Sequence, residues 1–168
     1  GFEWYGRAPA HEGLTAYGLV QFNDMKAVYD GVSANVIERT KKYLLKRRDN
    51  KGGFKQNVGK YGFSGNKPAL FNAYITWALT EVQTRGIDLE VETMTKEAIK
   101  SEDLYRMSLA ALSHYNIANE ASLAKAELLT KTIQKMIKKV GVKNAKSEST
   151  LTYSYGNSMN IETLSFAT

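Results

Sequence analysis

The fold of this chain is decided by the stretch GFEWYGRAPAHEGLTAYGLVQF, residues 1–22. Its first ten residues are rich in glycine and aromatic side chains, which is typical of a loop. From residue 12 to residue 22 apolar side chains recur at helical spacing, which predicts a helix built largely of small residues. A glycine-rich loop followed by an apolar helix recurs at residues 52–82 and again at 152–168. The chain therefore looks like one structural unit that is used several times.

Composition narrows the class of protein. With 168 residues the chain is one domain or part of one, and 43% hydrophobic residues is ordinary for a soluble globular protein. No apolar run approaches the length that crosses a bilayer. The absence of cysteine excludes disulfides, zinc–thiolate sites and cysteine nucleophiles from these residues. The net charge of +6 is explained by Lys and Arg on exposed helix faces, and it does not by itself indicate an acidic partner.

Amphipathic segments alternate with the apolar ones. Residues 32–48 and 120–140 each carry a one-sided apolar stripe, with most of their Lys and Arg side chains pointing away from it. Residues 89–100 are predicted to form a short exposed helix. Residues 68–82 and 102–116 are apolar on most sides, so we expect these helices to be buried, with Leu79 and Leu112 in the core. Ser33, Asp88 and Asn119 are the predicted helix caps. The sequence thus predicts an all-α fold of seven helices.

The alternation also limits the architecture. A helix that is apolar on all sides must lie inside the molecule, so buried and exposed helices in strict succession indicate either a solenoid or a closed ring of α-hairpins. The aromatic residues Tyr17, Tyr74, Tyr105 and Phe166 mark successive buried helices. We interpret the chain as an α/α toroid, a ring of helical hairpins with alternating inner and outer helices, here a partial ring.

Four segments together resemble the thioester domain of the alpha-2-macroglobulin and complement family. They are the opening stretch, DNKGGFKQN at residues 49–57, NAYITWALTE at 72–81 and TYSYGNSMNIETLSFAT at 152–168. The resemblance covers essentially the whole chain and implies an α/α toroid, of which residues 1–168 are a single domain or a fragment from the middle portion. It also implies a secreted, periplasmic or cell-surface protein that captures proteases, as an endopeptidase inhibitor, or tags targets.

The residues that carry the thioester chemistry of the family are not found in this sequence. In the family the thioester joins the Cys and Gln of a Cys-Gly-Glu-Gln motif, which lies upstream of the region that matches residue 1 and is absent here. Some members carry a catalytic His shortly after the loop that resembles residues 52–54, whereas residues 55–67 contain no His. We therefore expect no enzyme activity and no cofactor in this segment. A thioester elsewhere in the parent chain would react with amines more readily than with hydroxyls, because a hydroxyl needs a positioned base.

The expected partners follow from the same resemblance. They are proteases or target surfaces, reached through the full-length parent, and other domains of that parent. Nucleic acid and direct membrane insertion are not expected. Two alternatives remain open. One is an α/α toroid enzyme of the prenyltransferase or terpene cyclase type, but we find neither its zinc ligands nor its acidic Asp-x-Asp-Asp cluster. The other is a basic helical binding module. The latter would use residues 38–51 and 131–146, and it lacks a recognised nucleic-acid motif.

The candidate site residues lie in a long polar loop. Residues 55–67 are long for a connection between two helices, and such loops are often functional. Tyr61, Phe63 and Ser64 are the side chains that would line a site there, although packing of the loop on the surface is the simpler interpretation.

Ionisable residues offer weaker candidates. His11-Glu12 begins like the metalloprotease motif, but Thr15 stands where the second His must be, so we expect a loop or cap histidine and no metal site. His114 is expected to be a hydrogen-bonded core histidine. Carboxylates at helix ends form a last group that would face the centre of the ring: Glu12, Glu81 and Glu162.

Overall fold

The protein is all-α, as the sequence predicts. The computed structural model describes residues 1–2, 9–57, 67–145 and 147–168. These residues form seven α-helices: α1 Glu12–Lys26, α2 Ala34–Lys46, α3 Pro68–Glu81, α4 Asp88–Ser101, α5 Leu104–Ile117, α6 Glu120–Val140 and α7 Gly156–Ala167. A 3-10 turn, Val142–Asn144, follows α6. Within the described residues there is no strand, and the extended pairing is limited to one bridge between Arg48 and Phe54.

Local sequence explains where the helices begin. The Ser33 hydroxyl accepts the Asn35 N–H at 3.2 Å and the Asn119 side chain accepts the Ser122 N–H at 2.9 Å, which confirms both as caps. The prediction for Asp88 is wrong, because Asp88 is already the first residue of α4 and Ile87 precedes it without a side-chain cap. An Asp within the first turn still stabilises the helix through its charge.

Several helix boundaries differ from the predicted ones. Helix α1 continues past residue 22 to Lys26, since neither glycine nor proline occurs between residues 22 and 31. Helix α2 ends at Lys46, before the turn at residues 48–54. Helix α7 begins at Gly156, earlier than the expected residue 159, so Glu162 lies in the middle of this helix.

The helices pack in a regular succession. Helix α1 contacts α3, α3 contacts α5 and α5 contacts α7, while α2 packs on α1, α6 packs on α5, and α4 packs on both α3 and α5. The predicted alternation of buried and amphipathic helices is therefore present from α1 to α6. Helix α7 departs from it, because Thr163 is its one fully buried side chain. None of the helices in the described residues is both long and apolar enough to cross a membrane.

The apolar core runs through α1, α3 and α5. Leu79 is fully buried, as predicted, whereas Leu112 is only partly buried and packs at the edge of the core. The reason is that Leu112 shares a face of α5 with Tyr115, and this face opens to solvent toward the end of the helix, where Tyr115 is exposed.

Candidate functional site

The candidate loop is described only at its start. Tyr61, Phe63 and Ser64 lie outside the described residues. The segment that leads into the loop, residues 55–57, is described, and it ends against the buried carboxylate of Glu12. The site is therefore built outward from that carboxylate.

Glu12 is the centre of a group of polar residues that we name the Glu12 cluster: Ala10, Glu12, Tyr43, Arg47 and Asn57. The Glu12 side chain is fully buried, and its Oε1 accepts the Arg47 Nε–H at 2.6 Å. Its Oε2 accepts the backbone N–H of Asn57 at 2.9 Å. Both carboxylate oxygens are thus bound by donors from distant parts of the chain.

A second set of hydrogen bonds in the Glu12 cluster converges on the carbonyl of Ala10. It accepts the Tyr43 hydroxyl at 2.8 Å and the side-chain Nδ2–H of Asn57 at 2.9 Å. The Arg47 Nη2 also donates to Asn57 Oδ1 at 3.1 Å. Burial, together with the negative charge of Glu12, raises the pKa of Tyr43 above its ordinary value. The cluster therefore fixes the segment before α1 and the segment after residue 54 at one point.

The hairpin of α1 and α2 explains how the Glu12 cluster forms. Glu12 is in the first turn of α1, where the helix dipole favours a negative charge. Helix α2 returns along α1, so Arg47 at its C-terminal cap comes back to the beginning of α1. A buried carboxylate is tolerated when it is paired and hydrogen-bonded, and Arg47 and Asn57 meet that requirement.

The glycine turn at residues 49–54 is held against α3 and α4. Gly52 has a φ of +88°, and a Cβ there would lie 2.0 Å from the Thr93 hydroxyl on α4, so only glycine fits. Phe54 is buried, and its backbone N–H donates to Asn72 Oδ1 of α3 at 3.1 Å. Phe54 belongs to the segment at residues 49–57 and Asn72 is the first residue of the segment at 72–81, so this bond links the two segments.

An aromatic cluster joins α3, α5 and α7, and it consists of Tyr74, Trp77, Tyr105 and Phe166. Phe166 meets Trp77 edge-on at a centroid distance of 5.0 Å and Tyr105 at 5.2 Å. Tyr74 contacts Trp77 at 5.1 Å. Three of the four aromatic markers thus come together, whereas Tyr17 is 41% exposed on α1.

Glu162 links the segment at residues 152–168 to α5. Its Oε1 accepts the Tyr105 hydroxyl at 3.2 Å, and its Oε2 accepts the hydroxyls of Thr152 at 2.5 Å and Ser154 at 2.6 Å. Burial raises the pKa of the Tyr105 hydroxyl, with a smaller contribution from Glu162. The carboxylate therefore holds the loop before α7 against α5.

The structure does not bring the three candidate carboxylates into one site. Glu12 binds Arg47 and Asn57, and Glu162 binds the hydroxyls around Tyr105. Glu81 accepts from Asn116 Nδ2 at 2.7 Å, so each belongs to a separate hydrogen-bond network. The prediction of helix-end carboxylates holds for Glu12 and Glu81, whereas Glu162 lies within α7.

The two histidines have structural positions, as predicted. His11 precedes α1, and its Nδ1 accepts the Leu14 N–H at 3.3 Å, which makes it a helix cap. His114 is buried on α5, and its Nε2 lies 3.0 Å from the Thr95 hydroxyl. Across the described part of the chain, no group of three or more His, Cys, Asp or Glu side chains is placed to hold a metal ion.

Sequence reasoning missed the partners of Glu12. The pattern of residues 32–48 predicts that most of their Lys and Arg side chains point to solvent, and Arg47 and Arg48 depart from it. Arg47 binds Glu12, and the Arg48 Nη1 donates to the Gly86 carbonyl at 2.8 Å and lies 3.8 Å from buried Glu90. Two arginines directly before a glycine turn were the available signal. The direction in which the two arginine side chains point depends on how the chain folds back at the turn. The apolar pattern of one helix carries no information about that.

Comparisons with known proteins add no relative. No family model, curated protein or solved structure matches the chain. Residues 1–22, 49–57, 72–81 and 152–168 are joined in space through the Glu12 cluster, the Phe54–Asn72 bond and the aromatic cluster.

Proposed function

We propose that the chain is the middle portion of a thioester-type α/α toroid domain in an alpha-2-macroglobulin-like protein. Its role there is structural and interactive, as part of a module that traps proteases or tags targets. The observation that carries the proposal is the physical joining, in chain order, of the four segments that resemble the family. The location that goes with it is extracellular, periplasmic or on the cell surface.

The helix contacts support the toroid part of the proposal. A ring of hairpins requires each inner helix to contact the next inner helix and each outer helix to cover them. Helices α1, α3, α5 and α7 contact one another in that order, and α2, α4 and α6 lie against them. The outer helices α2 and α6 are amphipathic, with few fully buried positions, as an outer layer would be.

The Glu12 cluster gives the proposed domain a rigid end. It joins the beginning of α1, the end of α2 and the segment that leads toward α3. The candidate residues Tyr61, Phe63 and Ser64 follow Asn57 in the sequence and lie outside the described residues.

The test is a protease-trapping assay on the intact protein. A protease would be incubated with increasing amounts of it, and activity would be measured on a small chromogenic peptide and on a large protein substrate. Physical trapping predicts that hydrolysis of the large substrate is lost while hydrolysis of the small peptide persists, because a caged protease still admits small molecules.

The controls distinguish trapping from other outcomes. If cleavage of the protein triggers trapping, pre-incubation with the same protease inactivated at its nucleophile should leave the trapping capacity intact. Active protease added afterwards should then still lose its activity on the large substrate. Equal loss of both activities would indicate an ordinary active-site inhibitor. Loss of neither activity, with several proteases of different specificity, would contradict the protease-trapping role.

A further inference from the structure

His114 holds its neutral form in a single defined tautomer. Thr95 Oγ1 lies 2.7 Å from the Val91 carbonyl, to which it donates its one hydrogen. The same oxygen lies 3.0 Å from His114 Nε2, so it must accept there and the Nε2 must carry the proton. The other ring nitrogen, Nδ1, is then an unprotonated acceptor. Within the described residues it has no hydrogen-bond partner, and it is shielded from solvent.

In this arrangement no hydrogen bond would stabilise a second proton on the His114 ring. A second proton would enter at Nδ1, where the described residues offer no acceptor, and would place a charge on a residue that is 2% exposed. Burial lowers the pKa of His114, and the positive charge of Lys125 on α6 lowers it further.

Most acidic groups on the helices around α5 are paired with other residues. On α6, Glu127 lies 3.9 Å from Lys131, and Glu120 is exposed in the first turn. On α4, buried Glu90 lies 3.8 Å from Arg48, and Glu97 accepts from Arg106 at 3.3 Å. On the same helix, Glu92 pairs with Lys96 at 2.6 Å, and its carboxylate also feels the charge of Lys125. On α3, Glu81 is bound by Asn116, two residues beyond His114. On α7, Glu162 is bound by Tyr105, more than two helical turns before His114. None of these contacts supplies a carboxylate to the His114 ring.

We infer that His114 is an acid-sensitive contact between α4 and α5. At neutral pH its Nε2–H bond to Thr95 joins the two helices. When the ring takes up a second proton, the folded arrangement can no longer accommodate it, and α4 separates from α5.

The first test is imidazole ¹⁵N spectroscopy of the wild-type protein across an acid titration. At neutral pH the His114 ring should show the Nε2–H tautomer. On acidification its signals should stay neutral in the folded population and disappear as the α4–α5 contact opens. An Nδ1–H tautomer, or a folded protein in which His114 becomes protonated near pH 6.5, would overturn the inference.

The second test compares the pH dependence of stability in wild type and His114→Gln. The unfolded chain binds a proton at His114 below about pH 6.5 and the folded chain does not, so acid favours unfolding. As the pH falls from about 6.5 toward the lowered pKa of His114 in the folded protein, the folding equilibrium constant of the wild type should therefore decrease by an additional factor of about ten per pH unit compared with that of the variant. Gln keeps an N–H donor for Thr95 and does not titrate.

A matched control uses the other histidine. His11→Asn keeps a capping side chain before α1 and removes the only other imidazole, and this variant should retain the steep acid dependence of the wild type. Parallel profiles for wild type and His114→Gln would contradict the inference. If His114→Gln does not fold, the ¹⁵N titration of the wild type decides the question by itself.

Discussion

Glu12 offers the sharpest test of how the chain is held together. The substitution Glu12→Ala removes the acceptor for Arg47 Nε and for the Asn57 N–H. Breaking a buried ion pair from one side typically costs about 3–5 kcal/mol. The Arg47 side chain is 27% exposed and can regain some water. We therefore expect Glu12→Ala to lower the free energy of unfolding by about 2–4 kcal/mol.

The assay is urea denaturation followed by far-ultraviolet circular dichroism, with the slope compared between variants. The matched control is Glu38→Ala, which removes an exposed carboxylate on α2 that pairs with Lys41 in the same hairpin. An exposed pair contributes little, so this control should unfold at nearly the wild-type urea concentration.

A double-mutant cycle isolates the ion pair itself. Arg47→Met keeps an unbranched apolar stem, and its combination with Glu12→Ala should cost clearly less than the sum of the two single changes. If Glu12→Ala behaved like Glu38→Ala, or if the two changes at Glu12 and Arg47 were simply additive, the Glu12 cluster would not be the anchor that we describe.

Two further predictions test the packing of α3, α5 and α7. Leu79→Ala should cost about 2–5 kcal/mol in urea denaturation because it leaves a cavity in the core, whereas Ile161→Ala on the exposed face of α7 should change little; equal costs would contradict the burial of α3. Tyr105→Phe removes one donor to Glu162 and should cost about 1 kcal/mol, with most of that loss absent when Glu162 is already Ala, which has no acceptor. An unchanged cost in the Glu162→Ala background would mean that the Tyr105–Glu162 bond does not link α7 to α5.

Periodic patterns predicted most of the fold because helix formation is decided locally. Apolar spacing located all seven helices, and the caps Ser33 and Asn119 follow from side chains that bond a backbone group two or three residues away. The error at Asp88 is also local, since an Asp stabilises a helix start either as the cap or within the first turn.

The candidate site was less predictable because its contacts are distant in sequence. Glu12 and Arg47 are 35 residues apart, and Glu12 and Asn57 are 45 apart, so neither pair can be inferred without the path of the chain between them. Leu112 shows the same limit, because its partial exposure depends on where neighbouring helices stop covering α5. The place of Tyr61, Phe63 and Ser64 in the site stays a prediction.

The most direct test of the account is the structure of the intact protein by electron cryomicroscopy. We expect residues 1–168 to form an arc of a closed ring of α-hairpins, with α1, α3, α5 and α7 facing its centre and the Glu12 cluster at one end. An open solenoid, or a ring whose centre is lined by α2, α4 and α6, would contradict the proposal that this chain belongs to a thioester-type toroid domain.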